Sequence, residues 1–100
     1  MATIGTFTKT DNGYNGEIRT LTLKTKVTLV PSGNDADKAP DFRIMAPGDI
    51  EIGGAWQREG KKSGNSYLSL RLDDPSFTAP VYANLIERDG KHTLIWERRG

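Results

Sequence analysis

Tyr67-Leu68-Ser69-Leu70-Arg71-Leu72 places a leucine at every second position, with tyrosine, serine and arginine between them. Successive side chains of an extended chain point to opposite faces, so this period describes a half-buried strand whose leucines enter a core. Before it, residues 59–65 read Glu-Gly-Lys-Lys-Ser-Gly-Asn, a hairpin tip. After it, Asp74-Pro75 has the cap and first position of a helix, but Pro80 arrives too soon for more than about one turn. Residues 81–87 and 92–98 then pair across Arg88-Asp89-Gly90-Lys91, with Asp-Gly supplying the tight turn. Upstream, residues 50–58 form a strand with Ile50, Ile52, Gly54 and Trp56 on one parity. The pair Gly53-Gly54 inside it marks a bulge, a bend or the close approach of another backbone. Residues 42–45 make a short strand turned by Ala46-Pro47-Gly48-Asp49, and residues 7–10 meet 17–23 across a segment holding two Asn-Gly pairs. Leu21, Leu23, Val27 and Leu29 share one parity opposite Thr20, Thr22, Lys24, Lys26 and Thr28.

The expected fold is all-β: one domain over residues 1–100, about seven mostly antiparallel strands curled into a small barrel or sandwich. At most a helical turn is expected near residues 74–77. The predicted core is Ile4, Phe7, Leu21, Leu23, Val27, Leu29, Phe42, Ile44, Ile52, Trp56, Leu68, Leu70, Leu72, Val81, Leu85, Leu94 and Trp96. Residues 31–41, rich in turn formers and without hydrophobic period, are expected to be a mobile acidic loop.

Composition narrows the function classes. A chain of 100 residues, 35% hydrophobic and 27% charged, builds one thin core. A net charge of +1 excludes both the strongly basic nucleic-acid packers and the acidic nucleic-acid mimics, so an electrostatic partner must meet a local patch. With no cysteine, disulfides, zinc ribbons, iron–sulfur clusters and thiol nucleophiles drop out. Residues 1–9 lack the basic opening and apolar stretch of a secretory signal, and no apolar window approaches the roughly 20 residues of a membrane helix. A cytoplasmic protein without a membrane span is expected.

Four segments, Met1-Ala2-Thr3-Ile4-Gly5-Thr6-Phe7, Ala39-Pro40-Asp41-Phe42-Arg43-Ile44, Glu51-Ile52-Gly53-Gly54-Ala55-Trp56 and Tyr67 through Phe77, with Ile95-Trp96 near the end, resemble a bacterial family, domain-of-unknown-function family 736. The resemblance spans essentially the whole chain, and Leu72-Asp73-Asp74-Pro75-Ser76-Phe77 is its most specific part. It implies a small stand-alone bacterial protein of conjugative plasmids and mobile elements. It assigns no activity and no catalytic residues.

The residue inventory argues against catalysis. His92 is the sole histidine and reads as a surface or strand-edge residue, since a triad or a metal site would need further groups around it. Adjacent Asp73 and Asp74 point to opposite sides of an extended backbone and suit capping better than acid–base work. Asn34, Asp35, Asp37 and Asp41 lack the glycine and terminal glutamate of a calcium loop. Gly60 to Gly64 brackets two lysines without the Gly-Lys-Ser/Thr ending of a phosphate loop. No enzyme activity, metal or cofactor is expected.

Charge is unevenly spread. Residues 31–55 carry two basic against five acidic side chains, whereas residues 56–72 carry Arg58, Lys61, Lys62 and Arg71 against Glu59 alone. In that basic hairpin Tyr67 and Arg71 share the outward parity. An aromatic ring for a base beside cations for phosphates is the minimum equipment for binding single-stranded nucleic acid. The candidate site is therefore Arg58, Lys61, Lys62, Tyr67 and Arg71, the expected ligand is single-stranded DNA or RNA, and binding should be weak and sequence-tolerant. A lysine-rich tip also serves as a solvated turn or protects a sheet edge. The alternative is thus a protein-interaction or accessory module, with a mobile-element protein as partner and no nucleic-acid contact. Self-association is left open by the unassigned sheet edges.

Overall fold

A computed structural model describes residues 2–33, 36–60 and 66–96. Its strands are β1 (Ala2–Lys9), β2 (Tyr14–Arg19), β3 (Lys24–Pro31), β4 (Phe42–Ala46), β5 (Ile50–Glu59), β6 (Ser66–Leu72), β7 (Val81–Arg88) and β8 (Lys91–Trp96). Each pairs antiparallel with its chain neighbour, and β1 pairs with β8, closing an up-and-down barrel of eight strands. Closure removes the sheet edges that an open sheet would have to protect. There is no helix among the described residues; around Asp74 the chain only turns, with the Phe77 amide donating to the Asp74 carbonyl at 2.8 Å.

The interior is filled by alternating positions of every strand, and it is narrow. Leu70 is flanked across the sheet by Ala55 and Ala83, so a large side chain occupies the space that two small ones leave. Phe7 faces Gly16, where a Cβ would lie 2.4 Å from the ring. Ile18, Leu29, Ile44, Leu70, Leu72 and Leu94 are the largest fully buried side chains.

Two bulges bend the wall. Ile4 is the extra residue between the pairs Thr3–Ile95 and Gly5–Leu94, and Ile52 is the extra residue between Glu51–Met45 and Gly53–Ile44. β1 and β5 stand four strands apart in the ring, so the bulges lie on opposite walls. Both isoleucines are buried. An added residue increases local twist and curvature, which a barrel this small requires.

Several expectations are corrected. Leu21, Leu23, Val27 and Leu29, read on one parity, do not share a strand, because the chain turns at residues 20–23; the barrel has eight strands, in keeping with the expected seven or so. The Thr20 amide donates to the Leu23 carbonyl at 2.7 Å while the Leu23 amide donates to Thr20 Oγ1 at 3.0 Å. The threonine side chain thus makes a tight turn without glycine or proline, and Leu21, at its tip, is exposed rather than buried. The first Asn-Gly pair lies in an equivalent turn built on Thr10, and the second lies inside β2. Neither Gly13 nor Gly16 has positive φ.

Trp56 also leaves the predicted core. The bulge at Ile52 shifts the alternation by one, so Ala55 faces inward opposite Leu70 and Trp56 faces outward opposite Ser69. Phe42, Leu23, Val81 and Trp96 are half-buried at the barrel ends, and Ile18, Ala55 and Ala83 are core residues that pattern reading missed. One end, the mouth, carries the connections between β1 and β2, β3 and β4, β5 and β6, and β7 and β8. At the opposite base, Phe77 from the β6–β7 connection packs against the core with Leu23, Ala46, Val81 and Trp96.

Candidate nucleic-acid interface

The register assigns every outward position of β5 to β8. Arg58 stands beside Tyr67, Arg71 beside Tyr82, and Trp56, Ser69, Asn84 and Ile95 form a row across four strands. On β7 the burial of Ala83 and Leu85 turns Tyr82, Asn84, Ile86 and Arg88 outward, and Arg88 is paired with Lys91 of β8. From Trp56 onward the described outward positions hold Trp56, Tyr67 and Tyr82, four cations (Arg58, Arg71, Arg88 and Lys91), and no carboxylate. None of the four cations is ion-paired to a described residue. Elsewhere on the outer wall Arg43 binds Glu51 at 2.9 Å and Glu17 lies 3.7 Å from Arg19, while Lys24 and Lys26 of β3 stand opposite Arg19 and Glu17 without an ion pair to a described residue.

Three of the sequence-predicted residues, Arg58, Tyr67 and Arg71, are thus brought onto one face. Lys61 and Lys62 lie outside the described residues. Sequence reading missed Tyr82, Arg88 and Lys91, because the linear segment that contains them is slightly acidic. Folding separates those charges: Asp73 and Asp74 sit at the base, Glu87 takes the inward parity at the mouth, and Asp89 is at the hairpin turn. The signal was the alternation within each strand, not the charge of the window.

Trp56 borders this face and is already engaged. Its ring lies across Gly54, where a Cβ would meet the ring at 3.2 Å and Pro40 at 3.0 Å. Its indole N–H donates to the Lys38 carbonyl at 2.9 Å. The chain leading into β4 is laid along β5 by further bonds: the Asp41 amide donates to the Ala55 carbonyl, and Asp41 Oδ2 accepts from the Gln57 amide, both at 2.8 Å. Asp41, considered above as a cation ligand, therefore caps a backbone donor. Asn34 and Asp35 lie outside the described residues.

Other titratable groups have structural partners. Asp74 Oδ2 accepts from the Ser76 hydroxyl at 2.5 Å and the Ser76 amide at 2.9 Å, and these bonds hold the carboxyl below its ordinary pKa. His92, near the start of β8, is half-buried: its side chain is 13% exposed, lies 3.6 Å from Glu87, and meets Tyr14 edge-on with ring centroids 5.2 Å apart. Among the described residues no group of three histidines or carboxylates converges to hold a metal ion.

No curated protein and no solved structure matches the chain. A family model does, over residues 3–99. The chain, an eight-stranded barrel with an aromatic and cationic outer wall, belongs to the family described as "protein of unknown function (DUF736)".

Proposed function

We propose that the protein binds single-stranded DNA or RNA, without catalysis, on the outer wall of β5 to β8. The observation that supports this reading is the grouping of charge: among the described residues, the outward positions of β5 to β8 from Trp56 onward hold three aromatic side chains, four cations without an ion pair, and no carboxylate. Phosphates are attracted by the cations, and half-buried tyrosines offer rigid edges and faces against which bases stack without regard to sequence. A cytoplasmic setting on a bacterial mobile element, implied by the family resemblance, belongs to the same proposal.

The test is a set of alanine variants titrated against a fluorescently labelled oligonucleotide. Tyr67→Ala and Tyr82→Ala should each lose about 1–3 kcal/mol if their rings carry a base. Arg71→Ala and Arg88→Ala should weaken binding to all sequences alike. Lys26→Ala, on the outward face of β3 across the barrel, should leave affinity unchanged. Binding that is absent at low salt, or indifferent to all four changes on β6 and β7, would favour the protein-interaction reading.

A further inference from the structure

The mouth of the barrel is open, a cleft of about 600 Å³, within the size range of small-ligand sites. Its floor is apolar, made by Leu68 and Leu85. Tyr14 and Phe42 stand against each other edge-to-face in its wall, with ring centroids 5.8 Å apart. Gln57 and Asn12 add amides that can both donate and accept, as the edge of a nucleobase requires.

Charge is sorted across the rim. Gln57 faces the cleft while its neighbour Arg58 faces outward, Glu87 faces the cleft while Arg88 faces outward, and His92 faces the cleft while Lys91 faces outward. Of the described charged groups lining the cleft, two carboxylates, Asp11 and Glu87, stand against one ammonium, Lys9. Among the described residues, phosphates are thus favoured on the outer wall and an uncharged ring within the cleft. The outer wall is also continuous with the cleft, since Tyr67 borders both.

We infer that the mouth receives the terminal nucleoside of a single strand whose preceding phosphates lie on the outer wall of β5 to β8. This rests on the nucleic-acid reading above and adds a preference for strand ends that lack a phosphate. An internal nucleotide is a poor occupant, because both of its phosphates would have to be drawn into a mouth whose described charged groups include the carboxylates of Asp11 and Glu87.

The experiment is competition against an internally labelled oligonucleotide, using three unlabelled competitors of equal length and sequence: a linear strand with hydroxyls at both ends, a linear strand phosphorylated at both ends, and a covalent circle. The hydroxyl-ended strand should compete roughly five-fold or more better than the circle, the factor that one additional stacked base contributes. The doubly phosphorylated strand should fall to the level of the circle. Gln57→Ala should narrow the gap between hydroxyl-ended strand and circle without weakening the circle, whereas Arg71→Ala should weaken all three. Equal competition by all three strands would overturn the inference and leave the outer wall as a binding site. Failure of every strand to compete would overturn both.

Discussion

Gly53 and Gly54 show how much one residue decides in a wall this tightly curved. A Cβ on Gly53 would lie 1.9 Å from the Arg71 carbonyl oxygen, so β5 and β6 can approach only because no side chain intervenes. Gly53→Ala should therefore destabilise by roughly 1–3 kcal/mol or more, the cost of forcing backbone apart, as read from the midpoint of a urea transition. Leu21→Ser, at an exposed turn, should stay within about 0.5 kcal/mol of the parent in the same assay. Trp56→Phe keeps a ring over Gly54 and gives up the bond to the Lys38 carbonyl, a loss of about 0.5–1.5 kcal/mol. Asp74 supplies a pH signature. Its pKa is lowered by the Ser76 hydroxyl and then the Ser76 amide, so its contribution is present above the ordinary carboxylate pKa and lost as pH falls through the lower folded value. The stability gap between the parent and Asp74→Asn should close over that acidic window, and it should be small because the group is exposed. At this scale the sequence was half legible. The glycine pair pointed to a bulge, a bend or a close backbone approach; the extra residue is Ile52, and the shift in parity that sent Trp56 outward depended on which residue bulged.

The strands carry the more readable information. Leu68, Leu70 and Leu72 face inward as their spacing requires, and the β7–β8 hairpin turns at Asp89 and Gly90, both with positive φ, as Asp-Gly predicts. The turn between β2 and β3 was illegible because its defining bond comes from Thr20 Oγ1, in a run of Thr and Leu that otherwise alternates like a strand. Thr20→Ala removes that acceptor; since the turn is exposed, water replaces part of the bond, and the expected loss is at the low end of about 0.5–1.5 kcal/mol by urea denaturation. The candidate site was legible on β6 and missing on its neighbours. Tyr67 and Arg71 stand out within a single alternating strand, whereas Tyr82, Arg88 and Lys91 join them only through the pairing of β6 with β7 and of β7 with β8. No window of sequence holds that adjacency, because it depends on register.

At the level of the whole barrel, a chain with net charge +1 has placed Arg58, Arg71, Arg88 and Lys91 on one outer wall, while Arg43 pairs with Glu51 and Arg19 with Glu17 elsewhere. The fold class was legible from alternation and turns, but closure was not, since the pairing of β1 with β8 joins the two most distant segments of the chain. Closure gives the outer wall its fixed curvature and leaves the mouth as a bounded cleft, so any ligand must follow the outside, enter the mouth, or do both. The central claim is that the outward cations of β5 to β8 neutralise phosphates. The most direct measurement is the affinity for a labelled single-stranded oligonucleotide across a series of salt concentrations. Each phosphate contact contributes about 0.7 to the slope of log affinity against log salt, so the four described cations predict a slope approaching roughly −3 if all are engaged. Arg71→Ala should make it shallower by about one contact's worth. A slope near zero, or one unchanged by Arg71→Ala together with Arg88→Ala, would contradict the account.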